Sequence, residues 1–208
     1  MSKINELLEN FEEKRQQFLK DLQREYDALK KKYHYQVYKK KVVFTQEAKK
    51  ENKKWRDPLW KEFLWGNMNL RYIISMPFIY GMIIPAIILD IFLFIYQQGA
   101  FRLYGIPLVK RSEYIIYDRR FLNYLNFIEK FHCLYCSYVN GLFSYAVEVA
   151  GRTEKYWCPI KNSMKIKGGH NWQKYFADYG DAQVYREVLN KNREYYKEEN
   201  EEELLIRT

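Results

Sequence analysis

The chain opens on polar sequence with helical periodicity. In INELLENFEEKRQQFLKDLQREYDALKKKY, the apolar residues Ile4, Leu8, Phe11, Phe18, Leu22 and Leu29 recur at steps of three, four and seven. That stripe predicts an amphipathic, coiled-coil-like helix, which either lies solvated on the protein's own body or pairs with a second copy or a partner protein. Arg15 and Glu25 fall on the same seam and dilute the heptad pattern. Basic sequence carrying Gln and Tyr continues to residue 54 and reads as a linker or loosely held helix, so residues 1–54 form one region.

From WRDPLWKEFLWG the pattern changes. Asp57 is placed to cap a helix with Pro58 at its first position, where the missing N–H costs nothing. Leu59, Trp60, Phe63 and Leu64 share one face at helical spacing. Trp55, Trp60 and Trp65 stand just ahead of a long apolar run, the position that the headgroup layer of a bilayer selects for indole rings. Residues 55–72 are therefore expected to form an interfacial helix.

Polarity then almost vanishes. IISMPFIYGMIIPAIILDIFLFIY, from Ile73 to Tyr96, has 24 residues. As one helix rising about 1.5 Å per residue, it exceeds a hydrocarbon layer of about 30 Å. Pro77, Pro85 and Asp90 interrupt it, and apolar character continues past Arg102 to Val109. Two geometries fit residues 73–109: a single kinked span, or a helix pair broken near Gly81 to Pro85 that enters and leaves on the same side. Basic residues flank both ends, with Lys53, Lys54, Arg56, Lys61 and Arg71 before and Arg102, Lys110 and Arg111 after. By the positive-inside rule both flanks read as cytoplasmic, which favours the broken pair. Asp90 is costly in hydrocarbon unless paired, protonated or shallow. A shallow position is the bland account, and a proton or ion path the sharper one.

Helical spacing returns after the apolar run. From Asp118, a plausible cap, apolar residues at 121, 125, 128, 131, 135, 138, 142, 145 and 149 predict one long helix, bent if anywhere at Gly141. Glu129, Cys133, Cys136 and Asn140 make a second stripe on it, and thiols at i and i+3 can point at one ion. Cys158, before Pro159, sits at an expected chain reversal that could return it toward the pair. With His170, in the adaptable loop KGGHNW, Cys133, Cys136 and Cys158 would complete a tetrahedral site for zinc or iron. His132 points about 100° away from Cys133 on a helix and is the poorer ligand. Three readings stay open: this metal site, a redox dithiol of Cys133 and Cys136 with Cys158 resolving, and inert thiols packed as small apolar residues. Ser137 stands where a c-type haem attachment needs histidine.

Charge and composition narrow the partners. The net charge is +9, and residues 1–72 carry 18 basic against 11 acidic side chains directly beside the apolar run. That placement favours a lipid bilayer over nucleic acid, for which no recognised module is present. An odd cysteine count without an apolar leader fits reduced thiols on the cytosolic side. No phosphate-binding loop, nucleophile elbow, H-E-x-x-H motif or catalytic carboxylate pair occurs, so an enzyme reading would rest on the cysteines alone. Residues 110–190 form a cysteine-containing helical region with a helix starting near Asp181, and residues 191–208 read as a solvated acidic tail.

YGIPLVKRSEYIIYDRRFLNYLNFIEKFHCLYCSYVNGL, together with RTEKYWCPIK and YGDAQVY, resembles a group of uncharacterised bacterial membrane-associated proteins with C-x-Y-C-x-Y-x-N-G and W-C-P-I-K patterns. The resemblance covers about residues 70 to 190. It implies a bacterial membrane setting and nothing about chemistry. The expected protein is an all-α membrane protein at the bacterial inner membrane, with its bulk facing the cytoplasm. Its expected role is that of an accessory or scaffold protein.

Overall fold

The computed structural model describes residues 3–38, 41–58, 70–164 and 166–207. It is mostly helical, 71 % helix against 6 % strand, with one apolar helix long enough to cross a membrane. The chain divides into two units: Met1–Trp65 with Asp118–Lys130, and Gly66–Tyr117 with Phe131–Thr208.

In the first unit, α1 (Lys3–Lys32) is the predicted amphipathic helix. Side-chain pairs one turn apart line it, among them Gln17 to Asp21 at 3.0 Å and Lys30 to Asp27 at 2.7 Å. Such exposed pairs add a few tenths of a kcal/mol each. Phe18, Leu22 and Leu29 are 64, 41 and 40 % exposed, so this part of the stripe is not buried on the chain's own body. The side chains of Ile4, Leu8 and Phe11 lie outside the described residues.

His34 takes a left-handed conformation, φ 52°, and turns the chain into a hairpin where linker or helix was expected. Strands β1 (Tyr35–Tyr38) and β2 (Lys41–Phe44) pair antiparallel, Tyr35 opposite Phe44 and Tyr38 opposite Lys41. The physical reason is the alternation in YQVY and KVVF, whose β-branched and aromatic side chains pair across strands. The rings of Tyr35 and Phe44 are 5.6 Å apart. Thr45 caps α2 (Gln46–Lys54) by accepting from the Ala48 N–H. Beyond it, most of the predicted interfacial helix, with Trp60 and Trp65, lies outside the described residues.

In the second unit, α3 (Leu70–Gly81) and α4 (Ile83–Tyr96) are separated only by Met82, which itself keeps right-handed helical angles of −63° and −14°. The chain does not reverse there. Pro85 lacks the N–H that would bond the Gly81 carbonyl, so one helical bond is lost, but a reversal needs several non-helical residues. The same-side broken pair is thus replaced by one continuous apolar helix, Ile74–Tyr104. Its last turns pass through a π-helical segment, Gln97–Phe101, and end at Gly105, whose φ of 69° suits glycine.

From Gly105 the chain doubles back along α4. The Val109 N–H reaches the Gln97 side chain and Arg111 reaches Asp90, so residue numbers rise on the return segment as they fall on the helix. Next comes α5 (Phe127–Trp157), which starts nine residues later than Asp118, the expected cap. Asp118 instead opens a short 3₁₀ turn, Asp118–Phe121. The actual start is a capping box: Asn126 Oδ1 accepts from the Glu129 N–H at 2.9 Å, and Glu129 Oε2 accepts from the Asn126 N–H at 2.7 Å. The predicted core stripe holds over Leu142, Tyr145 and Val149, all buried.

Gly141 does not interrupt the helix. It lets α5 approach the return segment: a Cβ there would meet the Tyr114 carbonyl oxygen at 2.6 Å and Ile115 Cα at 2.9 Å. Past Cys158 and buried Pro159, Ile160 forms a parallel bridge with Ala177. Asp181 then caps α6 (Ala182–Arg207) through the Val184 N–H. The tail expected from residue 191 is helical through Arg207, and it is not wholly solvated: Tyr196 is 1 % exposed, and Asn192 donates to the Lys155 carbonyl.

Gly141→Ala sets two effects against each other. Alanine favours a helix by about 1 kcal/mol, whereas overpacking costs about 1–3 kcal/mol. Because the clash is with backbone, overpacking is expected to win and thermal melting should show a lower midpoint. Gly99→Ala, where nothing lies within 4 Å of a built Cβ, should leave the midpoint unchanged or raise it.

Candidate functional site

The apolar helix buries one side only. Ala86, Leu89, Leu93 and Gln97 face the core of the second unit. Ile84, Ile87, Ile88, Ile91, Phe92, Phe94 and Ile95 remain 46 to 65 % exposed. At about 100° per residue these seven cover half the circumference of α4, without a hydrogen-bonding side chain among them. Exposed Arg71 and Arg102 stand near the two ends.

Two polar clusters back this surface. Asp90 accepts from Arg111 Nη2 and Nε, at 2.6 and 2.9 Å, and from the Tyr138 hydroxyl at 3.1 Å. Its carboxylate is therefore paired, which removes the main cost expected of it. The hydrogen bond to Asp90 holds the Arg111 pKa above its already high ordinary value, and burial followed by the Asp90 contact pushes Tyr138 up. One heptad further on, Gln97 is 3 % exposed. Its carbonyl oxygen accepts from the Val109 N–H at 2.7 Å and its amide donates to the Tyr145 hydroxyl. On α5 the partners Tyr138 and Tyr145 are also seven apart, so α4 and α5 run parallel.

The cysteines do not converge. Cys133 and Cys136 are half-buried in the first third of one unbroken helix, whereas Cys158 is exposed just beyond its end. From Cys136 to Trp157 the helix rises about 31 Å. Zinc–sulfur bonds near 2.3 Å need all the sulfurs within about 4 Å of one another. His170, the proposed fourth ligand, engages Glu154 through Nε2 at 2.5 Å and packs its ring on Phe176. Among the described residues, no group of three His, Cys, Asp or Glu side chains is placed to hold a metal ion. The predicted set Cys133, Cys136, Cys158 and His170 is therefore not assembled, because the unbroken helix from Cys136 to Trp157 separates the pair from Cys158. A resolving role for Cys158 meets the same separation, and partial desolvation of the otherwise exposed residue's thiol, with the nearby Glu154 charge, raises its pKa.

Sequence reasoning missed the cluster at the end of α5. Arg152 pairs with Glu148 at 2.8 Å and donates to the Pro107 carbonyl at 2.9 Å, tying α5 to the return segment. The Trp172 indole also donates to Glu148. Lys155 is 6 % exposed, its ammonium 4.4, 3.9 and 4.7 Å from the rings of Trp172, Tyr195 and Tyr196. A Cβ on Gly151 would meet His170 Cγ at 2.6 Å, so glycine is what lets this loop lie on the helix. The one legible signal was the i, i+4 spacing of Glu148 and Arg152. Compared with protein-family models, curated proteins and solved structures, the chain matches none.

Two outcomes are expected from this geometry. Purified without chelator, the protein should carry less than about a tenth of an equivalent of zinc or iron by elemental analysis, unchanged in Cys158→Ser, since a full site binds far more tightly than that. Arg111→Ala should destabilise by about 1–3 kcal/mol, because it strands a carboxylate that is only 16 % exposed. Adding Asp90→Asn should recover part of that loss, as a double-mutant cycle of thermal or urea unfolding in detergent would register.

Proposed function

We propose that this chain is a membrane-attached accessory or scaffold protein. The bilayer is its first partner, and the polar bulk lies on the cytoplasmic side of a bacterial inner membrane. The observation that carries this reading is the uncovered half-cylinder of isoleucine and phenylalanine on α4. Soluble proteins rarely leave an apolar patch of that extent open to water. The basic excess ahead of the helix adds attraction to anionic lipid. The exposed stripe of α1, with Phe18, Leu22 and Leu29, offers a separate surface for a second copy or a partner helix. The thiols take no part in attachment in this reading.

Membrane fractionation tests it. The protein should sediment with membranes, resist extraction by high salt and carbonate, and leave with detergent. Ile88→Lys with Phe92→Lys should shift most of it into the soluble fraction, since each lysine removes apolar burial and adds a charge. Recovery of the unmodified protein in a salt wash would sink the reading. Cys133→Ser with Cys136→Ser should fractionate as the unmodified protein does.

A further inference from the structure

We propose that the apolar helix lies in the plane of the membrane, sunk to about half its width in one leaflet of an anionic bilayer, and does not cross it. This rests on the membrane-attachment reading and specifies its geometry.

The argument is one of levels along the helix. Arg111 is bonded to Asp90, which is 16 residues from Ile74 and 14 from Tyr104, close to the middle of the apolar helix. If that helix stood across a bilayer, Asp90 would lie about 21–24 Å from either end, deep in hydrocarbon. Lys110, Arg111 and Glu113, all exposed, would lie at the same depth. Lys110 and Glu113, which take no part in the Asp90–Arg111 pair, would cost about 2.5–3.5 kcal/mol each there. The non-helical backbone of 106–110 would have to sit at that depth too, which a bilayer tolerates only where protein encloses it.

Sliding the helix along its axis does not relieve the conflict. With Asp90 moved to the boundary, residues 72–89 would span. The Tyr135 hydroxyl donates to the Ile79 carbonyl and the His132 ring is 5.9 Å from that of Tyr80, so α5 would be drawn into the hydrocarbon alongside. Ile91, Phe92, Phe94 and Ile95, 53 to 65 % exposed, would meanwhile stand in water.

Laid flat, the same structure has no conflict. Asp90 and Gln97 project roughly 120–140° from the centre of the apolar face, so the return segment and its charges stay on the water side. Exposed Arg71 and Arg102, near the two ends of the helix, carry long side chains that can reach headgroup level and complement anionic lipid. A protein partner is the poorer occupant, because protein interfaces carry about one hydrogen bond per 100–200 Å² and this face offers no side chain to make one.

The test uses the full chain with Cys133, Cys136 and Cys158 changed to serine and single cysteines introduced by Ile88→Cys, Glu113→Cys or Lys191→Cys. Each variant is bound to sealed vesicles of phosphatidylethanolamine and phosphatidylglycerol and treated from outside with a membrane-impermeant maleimide. Glu113→Cys and Lys191→Cys should label equally, and Ile88→Cys about tenfold more slowly until detergent is added. Protection of Glu113→Cys equal to that of Ile88→Cys would overturn the flat geometry while leaving membrane attachment intact. Failure to float with vesicles, with Ile88→Cys protected in a lipid-free dimer, would overturn both. Trypsin added outside vesicles carrying the unmodified protein provides a second reading. Cleavage at Lys110 is expected, and a protected fragment running from the apolar helix through α5 would overturn the proposal.

Discussion

Asp90 and Gln97, seven residues apart on an otherwise apolar helix, hold the second unit together. Each reaches both the return segment and α5, Asp90 through Arg111 and Tyr138, Gln97 through Val109 and Tyr145. Apolar packing alone would leave the register of three neighbouring segments weakly specified, because isoleucine and leucine faces slide at low cost. A buried amide accepts few positions, since an unsatisfied partner costs about 1–3 kcal/mol. The Val109 N–H has its acceptor only if the return segment lies where it does. Once it lies there, the Tyr114 and Ile115 backbone fills the space that Gly141 leaves open on α5.

That arrangement also decides what the apolar helix can do. Over α4 its polar contacts lie on one side, and the exposed side from Ile84 to Ile95 carries isoleucine and phenylalanine. The charged return segment runs beside its midpoint, so charged groups and the exposed isoleucine and phenylalanine face lie on different sides of the same helix. The end of α5 adds a second fixed point, where Lys155 sits among Trp172, Tyr195 and Tyr196 and α6 is pinned beside it. A cation enclosed by three rings contributes more than an exposed one, which helps explain why residues 191–196 are held and not frayed.

The amino-acid sequence by itself determined the helices whose periodicity is strong: α1 from its stripe, α6 from Asp181, and the buried face of α5 over Leu142, Tyr145 and Val149. It also determined where the apolar region lies, because burial preference is a property of single residues and their spacing. Local competition decided the start of α5, where Asn126 and Glu129 cap each other and Asp118 is left to a separate turn. The hairpin at 35–44 was legible in its alternation but was masked by the many lysines around it. Only tertiary structure decided the partners of Asp90 and Gln97, the continued helical passage through Gly81 to Pro85, and the fate of the cysteines. Spacing brings Cys133 and Cys136 to one stripe, but whether Cys158 and His170 join them depends on the length and continuity of α5. A helix that rises about 1.5 Å per residue without a break carries its two ends apart, whatever chemistry the residues there would allow.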